Sequence, residues 1–299
     1  MSLEGLLLKS VGGFYYVECD DKIYECRARG KFRKDEISPF AGDTVQIEPV
    51  DEQKGTVVKI LPRKNSIIRP PLANLDQLII VTSVQDPAPN TFIIDKLIAI
   101  AEQKEITPIL IITKTDLSNP DNLTEVYSKA GFEVICTSNI ISDEQTTNRI
   151  KQLLKGKISA FTGNTGVGKS SLLNTIDTSL LLETAQISQK LGRGRHTTRQ
   201  TELYKLECGG YIADTPGFST VELEKYEVIF KDQLQYCFRE FSQHIDKCKF
   251  TDCSHTVESG CAVLQAVGNG EISSSRHKSY VALYEQAKTM KEWDSRYKR

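Results

Sequence analysis

The plainest chemistry in the sequence sits in eight consecutive residues. Gly163-Asn164-Thr165-Gly166-Val167-Gly168-Lys169-Ser170 has the spacing G-x-x-x-x-G-K-[ST], in which the glycines let successive backbone N–H groups converge on phosphate oxygens. In such a loop Lys169 reaches the β and γ phosphates of a nucleoside triphosphate and the Ser170 hydroxyl ligates Mg²⁺. A strand must precede the loop and a helix must follow it. Ile158-Ser159-Ala160-Phe161 and the run through Ser171, Leu172, Leu173 and Ile176 meet both requirements, and the helix dipole adds to the anion site.

Downstream, Tyr211-Ile212-Ala213 runs into Asp214-Thr215-Pro216-Gly217. Alone this is a turn signal. After a complete phosphate loop, it reads as a strand ending in a carboxylate, Asp214, that holds Mg²⁺ through water, with the Gly217 N–H facing the γ-phosphate. Between the two motifs lies Gly192-Arg193-Gly194-Arg195-His196-Thr197-Thr198-Arg199. One reading is a solvated loop. The other is a first switch in which Thr197 or Thr198 completes the Mg²⁺ shell when the γ-phosphate is present.

A phosphate loop does not choose the base. Thr113-Lys114-Thr115-Asp116 follows the apolar run Ile109-Leu110-Ile111-Ile112, at the strand end where open α/β sheets bind ligands. The Asp116 carboxylate can accept from guanine N1–H and N2–H₂. Adenine presents an acceptor at N1 and would leave that charge unpaired, a discrimination on the order of 10³-fold or more. The segment resembles the N-K-x-D motif of GTPases, with Thr113 where asparagine is usual, which leaves open what supplies the asparagine's supporting hydrogen bond. Ser138, in Thr137-Ser138-Asn139 after Val134-Ile135-Cys136, resembles the motif that covers the base with backbone N–H groups. GTP and GDP are therefore the expected nucleotides. These base motifs precede the phosphate motifs, the reverse of the usual order. A circular permutation explains this if Leu78-Ile79-Ile80-Val81 is now the domain's first strand.

Cys248, Cys253, His255 and Cys261 form C-x4-C-x-H-x5-C in polar, charged surroundings. A Cys₃His set is a closed structural zinc site, here one Zn²⁺ per chain, contributing roughly 10 kcal/mol or more to folding a module with little core of its own. Cys19, Cys26, Cys136, Cys208 and Cys237 read as structural thiols, and His244 and His277 as surface residues.

These motifs need elements to hold them. The chain has 299 residues and a formal charge of −1, so contact with nucleic acid would rest on local basic patches. With neither a basic, apolar leader nor a membrane-length apolar run, it reads as a cytoplasmic protein without a membrane partner. Alternating runs such as Gly13-Phe14-Tyr15-Tyr16-Val17 and Asp43-Thr44-Val45-Gln46-Ile47 predict a small antiparallel barrel over residues 1–65. Lys31, Arg33 and Lys34 beside Phe32 are either a solvated loop or a nucleic-acid contact. The proline-punctuated stretch 62–71 reads as a linker. Over 72–222, short apolar runs alternate with helix-length segments, one of them placing Ile94, Leu97, Ile98 and Ala101 on one face, which predicts an α/β sheet. Residues 223–299 read as a mostly helical module around the metal cluster.

A barrel, a permuted phosphate-loop domain and a Cys₃His module, in that order, resembles the RsgA/YjeQ family of bacterial small ribosomal subunit biogenesis GTPases. The resemblance spans the whole chain. It implies an N-terminal OB fold that binds RNA, a circularly permuted GTPase domain and a C-terminal zinc-binding domain. It also implies a monomer that acts late in maturation of the 30S subunit, with 16S rRNA as partner and hydrolysis of GTP to GDP and phosphate stimulated by the subunit. Phe218 stands where many GTPases carry the glutamine that orients water, so hydrolysis by the free protein should be slow. The family resemblance puts His196 in that role, with Lys169 and Thr198 completing the catalytic set; a solvated histidine is the competing view. Two other functions fit parts of the pattern, a phosphate-loop metabolic kinase or transferase and an RNA-binding module with residual nucleotide binding.

Overall fold

The computed structural model describes residues 2–28, 38–138, 143–178, 201–214 and 227–290. They divide into two compact units. One comprises Met1–Gln77, Thr147–Phe161 and Ser170–Glu222, the other Leu78–Thr146, Thr162–Lys169 and Leu223–Arg299. Lys31, Phe32, Arg33 and Lys34 lie outside the described residues.

The first unit begins with strands β1 (Leu3–Val11), β2 (Phe14–Cys19), β3 (Lys22–Ala28), β4 (Thr44–Pro49) and β5 (Lys54–Ile60). They follow the order β1-β2-β3-β5-β4, and β4 pairs back onto β1, closing a five-stranded barrel. β1 serves both neighbours. Leu3 to Leu6 pair with β4 and Leu6 to Val11 with β2, and a bulge between Leu7 and Lys9 turns the strand from one to the other. Alternation sends Leu7, Val17, Cys19, Tyr24, Cys26, Val45, Ile47 and Val57 inward as one core. Closure leaves no long bare edge inside the barrel.

Where the sequence suggested a linker, the chain makes a hairpin of β6 (Ser66–Ile67) and β7 (Leu72–Ala73) with Ile67, Leu72 and Leu75 buried. Its polar residues are used inward. Asn65 Nδ2 donates to the Leu75 carbonyl and Asn65 Oδ1 accepts from the Leu75 N–H, both at 2.9 Å. Arg63 grips Asp43 through Nε at 2.6 Å and Nη2 at 2.8 Å.

The same unit holds α3 (Glu144–Leu154) from Thr147 onward, β11 (Ile158–Thr162), β12 (Glu202–Lys205) and β13 (Tyr211–Asp214). β13 runs parallel to β11 and antiparallel to β12, and β12 meets β1 at Glu202 and Lys9, which also form an ion pair at 2.5 Å.

The second unit contains β8 (Gln77–Ser83) from Leu78, α1 (Thr91–Gln103), β9 (Thr107–Thr113), α2 (Asp121–Lys129) and β10 (Glu133–Cys136), with β9 between β8 and β10. β8 is buried along its whole length and β9 after its first residue, the signature of strands covered on both faces. Asn90 caps α1 by accepting from the Ile93 N–H at 3.2 Å. The expected face of Ile94, Leu97, Ile98 and Ala101 is buried, but so are Asp95, Ala99 and Ile100.

The extra burial comes from the C-terminal segment. Helices α5 (Lys231–Leu234), α6 (Ala262–Gly268) and α7 (Ser274–Lys288) enclose a core of Leu234, Cys237, Phe238, Phe241, Val263, Ala266, Ile272, Tyr280 and Leu283 that includes Ala99 of α1. Arg276 of α7 is 1 % exposed and donates from Nη1 to Asp95 Oδ1 at 2.8 Å and from Nε and Nη2 to Glu240 at 2.8 and 3.1 Å. The Tyr127 hydroxyl also donates to Asp95, at 3.0 Å, and the Phe238 and Phe132 rings flank the guanidinium. Burial pushes the Asp95 carboxyl above its ordinary value, and the Arg276 charge opposes that shift. No described helix is long and apolar enough to cross a membrane.

Candidate functional site

β9 delivers Thr113 to the edge of the sheet with its side chain fully buried. Its hydroxyl faces the Val167 carbonyl at 2.5 Å and the Thr82 carbonyl at 3.1 Å. Thr113 was expected among the nucleotide contacts. Its hydroxyl ties the phosphate loop to the base-reading strand.

The next residue, Lys114, is left-handed with φ +58° and its Nζ donates to the Asp86 carbonyl. That turn projects Asp116 outward. Asp116 is exposed, and its Oδ1 accepts from the Ser138 hydroxyl at 2.5 Å. The two loops are also joined through the backbone. Thr137 N–H donates to the Ile112 carbonyl at 2.8 Å, and Thr115 N–H approaches the Thr137 carbonyl at 3.4 Å. Lys114, Thr115, Asp116 and Ser138 thus form one constellation, with the Asp116 carboxylate held in a fixed orientation that can accept two parallel N–H donors.

In the phosphate loop, Gly163 has φ +147°, and a Cβ there would lie 2.1 Å from the Val81 carbonyl oxygen, so only glycine fits. Gly166 and Gly168 are also left-handed, with φ +85° and +92°. Asn164, Thr165 and Gly166 lie toward the surface, while Val167 is buried and anchors the loop. The chain then enters α4 (Lys169–Ile176). Lys169 Nζ folds back onto the Gly163 and Asn164 carbonyls at 2.5 and 3.0 Å, and burial holds its pKa below the usual lysine value. Ser170 and Ser171 are exposed on the first turn of that helix.

Asp214 ends β13, whose parallel register with β11 pairs Ile158 with Tyr211 and Ala160 with Ala213. The C-terminal ends of β11 and β13 therefore lie side by side at the same end of their strand pair. His196, Thr197 and Thr198, together with Thr215, Pro216, Gly217 and Phe218, lie outside the described residues.

Cys248, Cys253, His255 and Cys261 converge so that one ligand atom from each lies within 4.8 Å of the others. Cys248 Sγ and Cys261 Sγ are 3.9 Å apart, and His255 Nδ1 lies 3.6 and 3.5 Å from them. Tetrahedral zinc, with bonds of about 2.3 Å to sulfur and about 2.0 Å to nitrogen, implies edges of roughly 3.8 Å between sulfurs and 3.5 Å from sulfur to nitrogen. The spacing fits. Burial pushes the Cys253 thiol up to about 12 and raises Cys261, so the protein alone keeps these thiols protonated and a bound cation is what would make them thiolates.

The loop carrying the ligands is braced from several sides. Glu258 accepts from the Ser254 N–H at 2.9 Å, the Thr256 N–H at 3.0 Å and the Val257 N–H at 3.1 Å. His277, expected at the surface, is 9 % exposed and donates from Nε2 to the His255 carbonyl at 2.8 Å. It reads as polar in sequence because its neighbours on α7 are polar. Only the fold brings the metal loop over it.

A sequence model of the RsgA GTPase family matches residues 60–224, and one of the RsgA N-terminal domain matches residues 4–57. The chain belongs to the RsgA GTPase family. Among its relatives is the small ribosomal subunit biogenesis GTPase RsgA of Caldanaerobacter subterraneus subsp. tengcongensis, 44 % identical, with 96 % of each chain aligned. The crystal structure of YjeQ from Thermotoga maritima superposes with a TM-score of 0.83 at 34 % identity, covering 97 % of this chain and all of the other. YloQ, described as a circularly permuted GTPase, gives 0.80 at 35 % identity over 96 % of each chain. The RsgA-family chain is accordingly a GTPase with a permuted nucleotide domain, an N-terminal barrel and a helical C-terminal region whose Cys/His cluster can hold a metal ion.

Several residues that shape the RsgA-type sites escaped the sequence reading. Val81 and Asp86 act through backbone carbonyls, which carry no residue signature. Gln235, with Oε1 2.7 Å from His255 Nε2, lies outside the Cys/His motif altogether.

Proposed function

We propose that this GTPase binds the small ribosomal subunit and assists its late maturation, hydrolysing GTP to GDP and phosphate with turnover stimulated by the subunit. The observation that carries the reading is the Asp116–Ser138 base reader standing ahead of the phosphate loop in a chain that aligns end to end with a relative named for small ribosomal subunit biogenesis.

In this reading Asp116 selects guanine, with Lys114, Thr115 and Ser138 framing the base. The backbone of Gly163, Asn164, Thr165, Gly166, Val167 and Gly168 and the hydroxyl of Ser171 surround the phosphates. Lys169, released from the loop carbonyls, neutralises them. Mg²⁺ would supply charge neutralisation for the phosphates, and Ser170, Asp214 and Thr198 are the residues that would hold it. With Phe218 beside the second switch motif, His196 is assigned to orient water. The Cys₃His cluster takes one Zn²⁺ per chain. The functional modules are residues 1–65, which contact 16S rRNA, 72–222 and 223–299, in a monomer of the cytoplasm.

Phosphate release from GTP, measured with and without purified 30S particles, tests the proposal. The expected result is slow turnover alone, a large increase with 30S, and loss of that increase in His196→Ala. Turnover indifferent to 30S particles overturns the ribosomal assignment, and an unaffected His196→Ala overturns the role of that residue alone.

A further inference from the structure

The metal cluster has a partner outside its own motif. We infer that Gln235 fixes His255 as the tautomer protonated at Nε2, which leaves Nδ1 as the ligand atom. The inference rests on reading the cluster as a zinc site.

The His255 ring is buried at 1 % exposure, and its two nitrogens have different neighbours. Nδ1 faces the sulfurs of Cys248 and Cys261 at 3.6 and 3.5 Å, while Nε2 faces Gln235 Oε1 at 2.7 Å. A neutral imidazole carries one proton. If Nδ1 gives its lone pair to a cation, the proton must sit on Nε2 and needs an acceptor, and the Gln235 carbonyl oxygen is within hydrogen-bond distance.

Gln235 is itself held. It begins the tight turn Gln235–Cys237, and Leu234 just before it and Cys237 at its end are buried in the core that includes Ala99. The backbone of His255 is pinned separately, with φ +57° and its carbonyl accepting from His277. The ring is therefore held at its tip by Gln235 and the residue at its base by His277. Fixing the tautomer before the metal arrives removes an ordering cost from binding.

The test is zinc affinity by competition with a chromophoric chelator, for the full-length protein and for Gln235→Leu and Gln235→Glu. Leucine removes the acceptor and should weaken zinc binding by about 10- to 100-fold, while glutamate keeps an acceptor and should restore affinity to near wild type. Tyr236→Ser, at a neighbouring residue 68 % exposed, serves as a control and should leave affinity unchanged. In ¹¹³Cd-substituted, ¹⁵N-labelled wild-type protein, the metal should couple to His255 Nδ1 while Nε2 carries a proton. That measurement stands even if the leucine variant does not fold.

Coupling to Nε2, an unchanged affinity in Gln235→Leu, or a Gln235→Glu variant as weak as leucine overturns the inference. Wild-type protein purified without stoichiometric metal, and unable to bind zinc, would instead overturn the zinc reading on which it rests.

Discussion

The Thr113 hydroxyl lies 2.5 Å from the carbonyl oxygen of Val167, so the last residue of the base-reading strand is hydrogen-bonded to the middle of the phosphate loop. The side chain standing in place of the usual asparagine supplies this cross-link. Thr113→Val keeps the shape and removes the donor. A buried acceptor left unpaired costs about 1–3 kcal/mol. GDP and GTP affinities should fall together by roughly 5- to 150-fold, with base preference intact. Equilibrium titration with a fluorescent guanine nucleotide measures this.

Base preference itself should follow Asp116. An asparagine there offers one acceptor and one donor group in place of two acceptors, which matches xanthine, whose C2 carries an oxygen, better than guanine. Asp116→Asn should lower GDP affinity by about 10³-fold and raise affinity for xanthosine diphosphate. Competition titrations with the two nucleotides compare them directly.

Lys169 makes nucleotide binding sensitive to alkali. Burial holds its pKa below the ordinary lysine value in the free protein, and phosphate oxygens beside it raise that pKa again. Binding between those two values takes up a proton, so GDP affinity falls as pH rises through the free-protein pKa. Calorimetry in buffers of different ionisation enthalpy should report that uptake at alkaline pH and none near neutrality.

Removing the charge of Arg276 alone should be costly. In Arg276→Met, Asp95 and Glu240 keep buried carboxylates without their cation, a loss of about 3–5 kcal/mol in unfolding free energy. Adding Asp95→Asn and Glu240→Gln removes the stranded charges and should recover most of it. Denaturant unfolding of the single and triple variants is the comparison.

What could be read in sequence was what is local. The phosphate loop is a contiguous octapeptide whose backbone geometry is dictated by its own glycines, and α1 announced itself by period. The inner strands β8, β9 and β11 were visible as apolar runs because burial on two faces removes the polar alternation. The role of Thr113 was not legible, since a threonine's identity does not say whether its hydroxyl points to ligand or to protein. Residues 62–71 looked like a linker because prolines and polar groups suit both an exposed tether and a hairpin whose Asn65 and Arg63 satisfy backbone and Asp43. The second buried face of α1, and with it the core containing Ala99, depends on residues far away in the chain.

That borrowed core sets an order of events during synthesis. α1 is made early, but the side bearing Ala99 and Asp95 is covered only when Phe238, Phe241, Arg276 and Tyr280 have been added. A nascent chain carrying a finished barrel still presents a bare helix face and a lone buried-to-be carboxylate, the kind of surface that engages chaperones or aggregates. A message cut short before α7 therefore yields a chain that has both nucleotide motifs but a helix α1 with one face incompletely covered.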